Sequence, residues 1–183
     1  MIGPSQPAMP ASMPASPRPA GEASVRPTLA FMLSHPAHGL ALGFGSGLLR
    51  PAPGTWGTLA GWGAFIAMDG WLTLTGWAAV IVIAFLVGSL CAQRAGHALG
   101  RADHGAIVID EIVAIWIVLL VLPPSLVAQA FGLLAFRFFD ILKPPPIRAI
   151  DRRWKSGIGV MADDLVAAFY ALLLAAVVAR LLP

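Results

Sequence analysis

Nine acidic residues occur in the 183-residue chain, and four of them form two adjacent pairs in or beside apolar stretches. Asp110 and Glu111 lead straight into Ile112-Val113-Ala114-Ile115-Trp116. A carboxylate in the middle of such a helix costs about 2.5–3.5 kcal/mol on insertion scales unless something compensates it. Helix-start acids favoured by the dipole are the ordinary reading, but two acids this deep favour a functional one. Asp163 and Asp164 open the last apolar run, where either alone would serve as a cap. Asp140 has Arg137 three residues before it and Lys143 three after, so on a helix all three are neighbours. That set is either a self-neutralised stripe or a metal-binding carboxylate flanked by two phosphate-binding cations. Clustered hard oxygen donors suit Mg²⁺, and no His- or Cys-rich spacing argues for zinc.

A second kind of chemistry sits in the Gly-rich run from Gly43 to Thr58, which includes Ser46, Gly54 and Thr55. Glycines let backbone N–H groups approach an anion, and Thr55 and Thr58 stand where a helix would begin. A helix N-terminus favours phosphate through its free N–H groups and its dipole. The run is not a Walker loop, since no Gly-Lys-Ser/Thr follows at the required spacing. A re-entrant loop with a threonine cap explains the composition equally well. His104, in Asp103-His104-Gly105, reads on its own as a loop histidine or hydrogen-bond donor.

These residues need elements to hold them. Hydropathy marks five apolar helices: Trp56 to Met68, Gly70 to Ala92, Ala106 to Leu122, Ser125 to Leu142 and Met161 to Leu182, the first and fourth marginal in length. Gly70 to Ala92 carries no charge and can cross a hydrocarbon core of about 30 Å at 1.5 Å per residue. Pro123-Pro124 ends the third helix, and Ser125 is placed to cap the fourth. A short surface helix interrupted by Pro36 is expected over Leu29 to Leu42. Residues 1–26, rich in Pro, Ala and Ser, read as a disordered tail with no signal-peptide pattern, leaving 27–183 as one helical domain.

Composition agrees with a membrane setting. Hydrophobic residues make up 58% of the chain and charged ones 11%, against about 25% charged in soluble proteins. The net charge of +3 is modest and not gathered on one polar helix, so attraction to anionic lipid fits better than nucleic-acid binding. The lone Cys91 supports neither a disulfide nor a cysteine metal site. Arg94 and Arg101 fall in one interhelical segment, and Lys143, Arg148, Arg152, Arg153 and Lys155 in another. The opposite turns hold no Lys or Arg. The positive-inside rule puts both basic segments in the cytoplasm, which gathers 43–61, 103–111 and 137–164 on one face.

Taken together, these stretches resemble the phosphatidylglycerophosphatase A family. Gly43-Phe44-Gly45-Ser46-Gly47-Leu48 with Pro53-Gly54-Thr55-Trp56-Gly57-Thr58 is similar to its first motif. Asp103-His104-Gly105 with Asp110-Glu111 is similar to its second. Arg137-Phe138-Phe139-Asp140-Ile141-Leu142-Lys143-Pro144, then Asp151-Arg152-Arg153 and Gly157 through Asp164, are similar to its third. The resemblance spans about residues 30–180. It implies a compact all-α bundle and Mg²⁺-dependent removal of the terminal phosphate from phosphatidylglycerol phosphate at the bacterial inner membrane. On that reading Asp110, Glu111, Asp140, Asp163 and Asp164 hold metal, and Ser46, Gly54, Thr55 and Thr58 bind phosphate. Arg137, Lys143 and His104 join Asp140 in catalysis. Attack by an activated water and a covalent phosphate on Asp140 both remain open. The competing class is a small transporter or ion-binding subunit using intramembrane carboxylates, for which no internal repeat appears. Oligomeric state is left open.

Overall fold

A computed structural model describes residues 26–181, so nearly all of the Pro/Ala/Ser-rich stretch lies outside the described residues. The described chain is helical and contains no strand. Two short helices, α1 (Leu29–Leu33) and α2 (Pro36–Ala41), precede a 3-10 segment, Gly43–Leu48. Next come α3 (Pro53–Asp69), α4 (Leu74–Ala98), α5 (Ile109–Val121), α6 (Leu126–Leu142), α7 (Ile147–Arg153) and α8 (Gly157–Leu181). The boundaries have local causes. Thr28, Thr73 and Ser125 each cap a helix by accepting a backbone N–H from its first turn, which satisfies an otherwise orphaned donor. The expected helix over 29–42 divides at Ser34–His35 because Pro36 has no N–H to continue it.

The bundle is organised around α5. Val113, Ala114, Ile115 and Val118 are fully buried, and α3, α4, α6 and α8 all pack on this helix. Two α3 glycines allow the closest approach. A Cβ on Gly57 would stand 2.6 Å from the Val108 Cβ, and one on Gly61 2.7 Å from the Ile115 Cγ2. Across the same seam the Trp116 indole N–H donates to the Gly61 carbonyl at 2.8 Å. Trp77 stacks on Phe65 and meets Trp116 edge-on, and its indole N–H donates to Asp69 at 3.0 Å. Aromatic bulk therefore fills the end of the bundle away from Asp110 and Glu111.

The all-α expectation holds, with α3, α4, α5, α6 and α8 falling on the five expected apolar stretches, but that all five are membrane-embedded is not confirmed. Among the described residues two helices, α4 and α8, are long and apolar enough to cross a membrane, each with 25 residues or about 37 Å. The 17 residues of α3 and of α6 reach about 26 Å. Among these five, α5 is the shortest, with 13 residues starting at Ile109, or about 20 Å. Before it, Ala106 and Ile107 bond His104 and the Val108 N–H donates to the Ala41 carbonyl at 2.9 Å. The short α7 has no counterpart in the hydropathy pattern. It follows the proline run and buries Ile147 completely.

The two kinds of glycine in α3 give opposite expectations. Gly61→Ala overpacks the α3–α5 seam and should cost about 1–3 kcal/mol. Gly63 has nothing within 4 Å of a built Cβ, so Gly63→Ala should add up to about 1 kcal/mol from helix propensity. Thermal unfolding in detergent should show a lowered midpoint for the first and an unchanged or raised one for the second.

Candidate active site

Four helix termini meet at one end of α5. Its first turn carries Asp110 and Glu111, α6 brings Arg137 and Asp140 from its last turns, and α8 brings Asp163 and Asp164. The fourth is the N-terminus of α3. Here Ala52 takes a left-handed conformation (φ 57°) before Pro53, which fits the first helical turn. A Cβ on Gly54 would clash with the Glu111 carboxylate and stand 2.8 Å from an Arg137 guanidinium nitrogen. Only a glycine lets the α3 terminus come this close.

Arg137 holds the centre. Its Nη1 lies 2.7 Å from Asp140 Oδ2 and 3.4 Å from Glu111 Oε1. The Asp140 carboxyl interacts in turn with that of Asp164, and Asp110 with Glu111. Lys143 caps α6 in the left-handed region (φ 44°), and its Nζ reaches Asp163 Oδ2 at 2.5 Å. Five carboxylates thus share the site with two cations. Asp110, Asp163 and Asp164 are buried, and the Glu111 and Asp140 side chains are 12% exposed.

One oxygen each of Asp110, Glu111 and Asp164 can be chosen so that all lie within 4.8 Å of one another. Like charges at that distance repel by roughly 3–4 kcal/mol per pair at an effective dielectric near 20. Asp110 Oδ1, Glu111 Oε2 and Asp164 Oδ2 are buried with no hydrogen-bond partner. Unpartnered buried carboxylate oxygens are costly, and a divalent cation between them removes both the repulsion and the unmet acceptors. The donor set therefore fits a metal ion with hard oxygen ligands.

The remaining expected site residues divide. Gly54 and the half-buried Thr55 stand on the first turn of α3, beside Glu111 and Arg137. Thr58 is fully buried and its hydroxyl donates to the Gly54 carbonyl at 2.8 Å, while Ser46 donates to the Gly43 carbonyl at 2.9 Å. Both hydroxyls brace main chain, whereas Gly54 and Thr55 stay beside the acids and Arg137. His104 is buried in the loop before α5, and its Nδ1 accepts the Ala106 N–H at 3.2 Å. Gln93, which no sequence motif singles out, accepts the Gly157 N–H at 2.5 Å and so anchors the start of α8.

Comparison with known proteins follows the same residues. The family model for phosphatidylglycerophosphatase A matches residues 39–179. The phosphatidylglycerophosphatase A of Haemophilus influenzae is 44% identical over 144 residues, covering 77% of this chain and 87% of that protein. The Escherichia coli protein of the same name is 39% identical over 136 residues, covering 74% and 78%. A Bacteroides thetaiotaomicron relative, whose name proposes a phosphatidylinositol-3-phosphatase, is 38% identical over 146 residues, covering 75% and 90%. No solved structure matches the chain.

A ligand present at about 100 times its Kd stabilises the state it binds by about 2.7 kcal/mol. Adding a divalent cation to EDTA-treated protein should therefore raise the unfolding midpoint. Asp164→Asn should lose most of that gain in the same thermal scan.

Proposed function

The chain belongs to the phosphatidylglycerophosphatase A family, and from that premise we infer that it hydrolyses the terminal phosphomonoester of phosphatidylglycerol phosphate to give phosphatidylglycerol. The single observation that carries the reading in this molecule is the meeting of unpartnered carboxylate oxygens with Arg137 and the α3 N-terminus. The family match lends nothing to the competing transporter reading.

We propose Mg²⁺ as the cofactor, held by Asp110, Glu111 and Asp164, with Asp140 and Asp163 adjoining. Bound there, it supplies positive charge that offsets the phosphate. The chain's own groups do the rest. The Gly54 N–H and the Thr55 hydroxyl, on the first turn of α3, donate to the terminal phosphate at the positive end of the helix dipole. Arg137 offers planar N–H donors to the phosphoryl oxygens, and Lys143 adds a point charge held in place by Asp163. Charge placed in advance stabilises what develops as the bond from phosphorus to the glycerol oxygen breaks. Asp140, oriented by Arg137, is the candidate to activate an attacking water or to attack phosphorus itself.

The proposed setting is the bacterial inner membrane, entered in several passes with the site toward the cytoplasm. Two apolar 25-residue helices support it. So does the charge pattern, since the segments bearing Arg94, Arg101, Lys143, Arg148, Arg153 and Lys155 adjoin the helix ends that form the site. Arg180 lies in the last turn of α8, at its other end. A lipid phosphate lies at the interface, so its acyl chains stay in the bilayer while the head group reaches the acids.

Phosphate release from phosphatidylglycerol phosphate in detergent micelles tests the reading. Wild-type protein should release phosphate with Mg²⁺ and stop in EDTA. Asp140→Asn and Asp163→Asn should each slow release by about 100-fold or more. No release by wild type, or full rates in both variants, would sink it.

A further inference from the structure

The helices that flank the site leave one seam open. α3 and α6 each lie against α5 but scarcely against each other. Their tie is a single hydrogen bond, from the Trp62 indole N–H to Gln129 Oε1 at 2.9 Å. Below it the two helices still stand apart, leaving a cavity of about 320 Å³ lined in part by Ile66, Asp69 and Gln129. Above it the seam runs up to Gly54 and Arg137, for 8 residues of α3 from Thr55 to Trp62 and 9 of α6 from Gln129 to Arg137. That is a length of about 10–12 Å.

Helix periodicity shows which side chains border this seam. On α3, Gly57 and Gly61 face α5, whereas Trp62 turns to α6. Thr55 and Leu59 precede Trp62 by seven and three residues and share its face. On α6, Phe139 stacks on Tyr170 of α8, and Arg137 reaches over Gly54 of α3. Leu134 and Ile141, three before and four after Arg137, continue that stripe. Both are 68% exposed, and Leu59 is 36% exposed. Leu59 and Leu134 make both sides of the slot apolar between the acids at its top and the Trp62–Gln129 bond at its bottom.

We propose that the upper α3–α6 seam is the lateral entry and acyl-chain cleft for the lipid substrate. This rests on the phosphatase reading, and it deepens that reading by making the site a sideways port instead of a pit open only to water. One occupant fits both ends. A phosphomonoester enters between Thr55 and Arg137, and the glyceride with the start of an acyl chain lies along Leu59 and Leu134. The slot is continuous with the phosphate site, and its apolar length lies within the half-thickness of a bilayer core, about 15 Å. The Trp62–Gln129 bond closes its lower end.

The test compares two substrates in the full chain with Mg²⁺: dioleoyl phosphatidylglycerol phosphate in mixed micelles, and its deacylated, water-soluble head group. Leu134→Trp and Leu59→Trp narrow the slot. Each should lower kcat/KM on the lipid by about five-fold or more, and change it by less than about two-fold on the head group. Val127→Trp, in the separate apolar cavity between α6 and α8, should change neither. Equal loss on both substrates overturns the cleft, because the substitutions would then be damaging the site itself. Undiminished lipid turnover overturns it too, because the chains must then lie elsewhere, as does a Val127→Trp effect matching that of Leu134→Trp. A wild-type protein inactive on both substrates overturns the phosphatase reading and the cleft together.

Discussion

Five carboxylates and two cations confined to one end of a short buried helix set the terms for everything around them. Water would solvate such a cluster on an open surface, but here three of the acids are buried and the other two nearly so. The surplus negative charge has to be answered locally, and the molecule does so with what each neighbouring helix can offer. α6 contributes a guanidinium and an ammonium. α3 contributes the positive end of its dipole, which helps an adjacent carboxylate by several tenths of a kcal/mol or more in a partly buried setting. What remains unanswered is three carboxylate oxygens with no donor, on acids that could hold a metal ion.

Bringing these groups together explains several odd features of the backbone. Ala52 and Lys143 both take left-handed conformations without being glycine, a choice that costs about 1–2 kcal/mol per residue. Ala52 turns the chain so that α3 starts at Pro53 and aims its first turn at Glu111. Lys143 ends α6 abruptly and bends its side chain back to Asp163. The shortness of α5 has the same logic. Residues 106–108 stay outside the helix, Ala106 and Ile107 bonding His104 and Val108 bonding Ala41 of α2, so Asp110 and Glu111 become first-turn residues instead of mid-helix acids.

Much of this architecture is legible in the order of the amino acids. The all-helical class, the Ser125 cap and the convergence of three separated segments all follow from apolar runs, prolines and the distribution of basic residues. Helix lengths are harder, because hydropathy sees that Ala106-Ile107-Val108 is apolar but not that its N–H groups are spent elsewhere. Thr58 and Ser46 look like anion ligands from their place in a Gly-rich run. A hydroxyl also bonds readily to a carbonyl three or four residues back, and sequence alone does not rank the two uses. Gln93 and Gly157 lie 64 residues apart, and neither has a local pattern that names the other.

The choice of arginine at position 137 ties the site to the fold. One guanidinium reaches Asp140 on its own helix and Glu111 on α5, and it overhangs Gly54 on α3. A lysine is a compact charge on a flexible stem and could not span these partners with fixed geometry. The fork needs a glycine beneath it, because any Cβ at position 54 would occupy its space. Gly54 in turn is useful only if Glu111 lies on the first turn of α5. Removing any of the three leaves the other two misplaced, so the electrostatic balance and the close helix packing are one constraint seen from two sides.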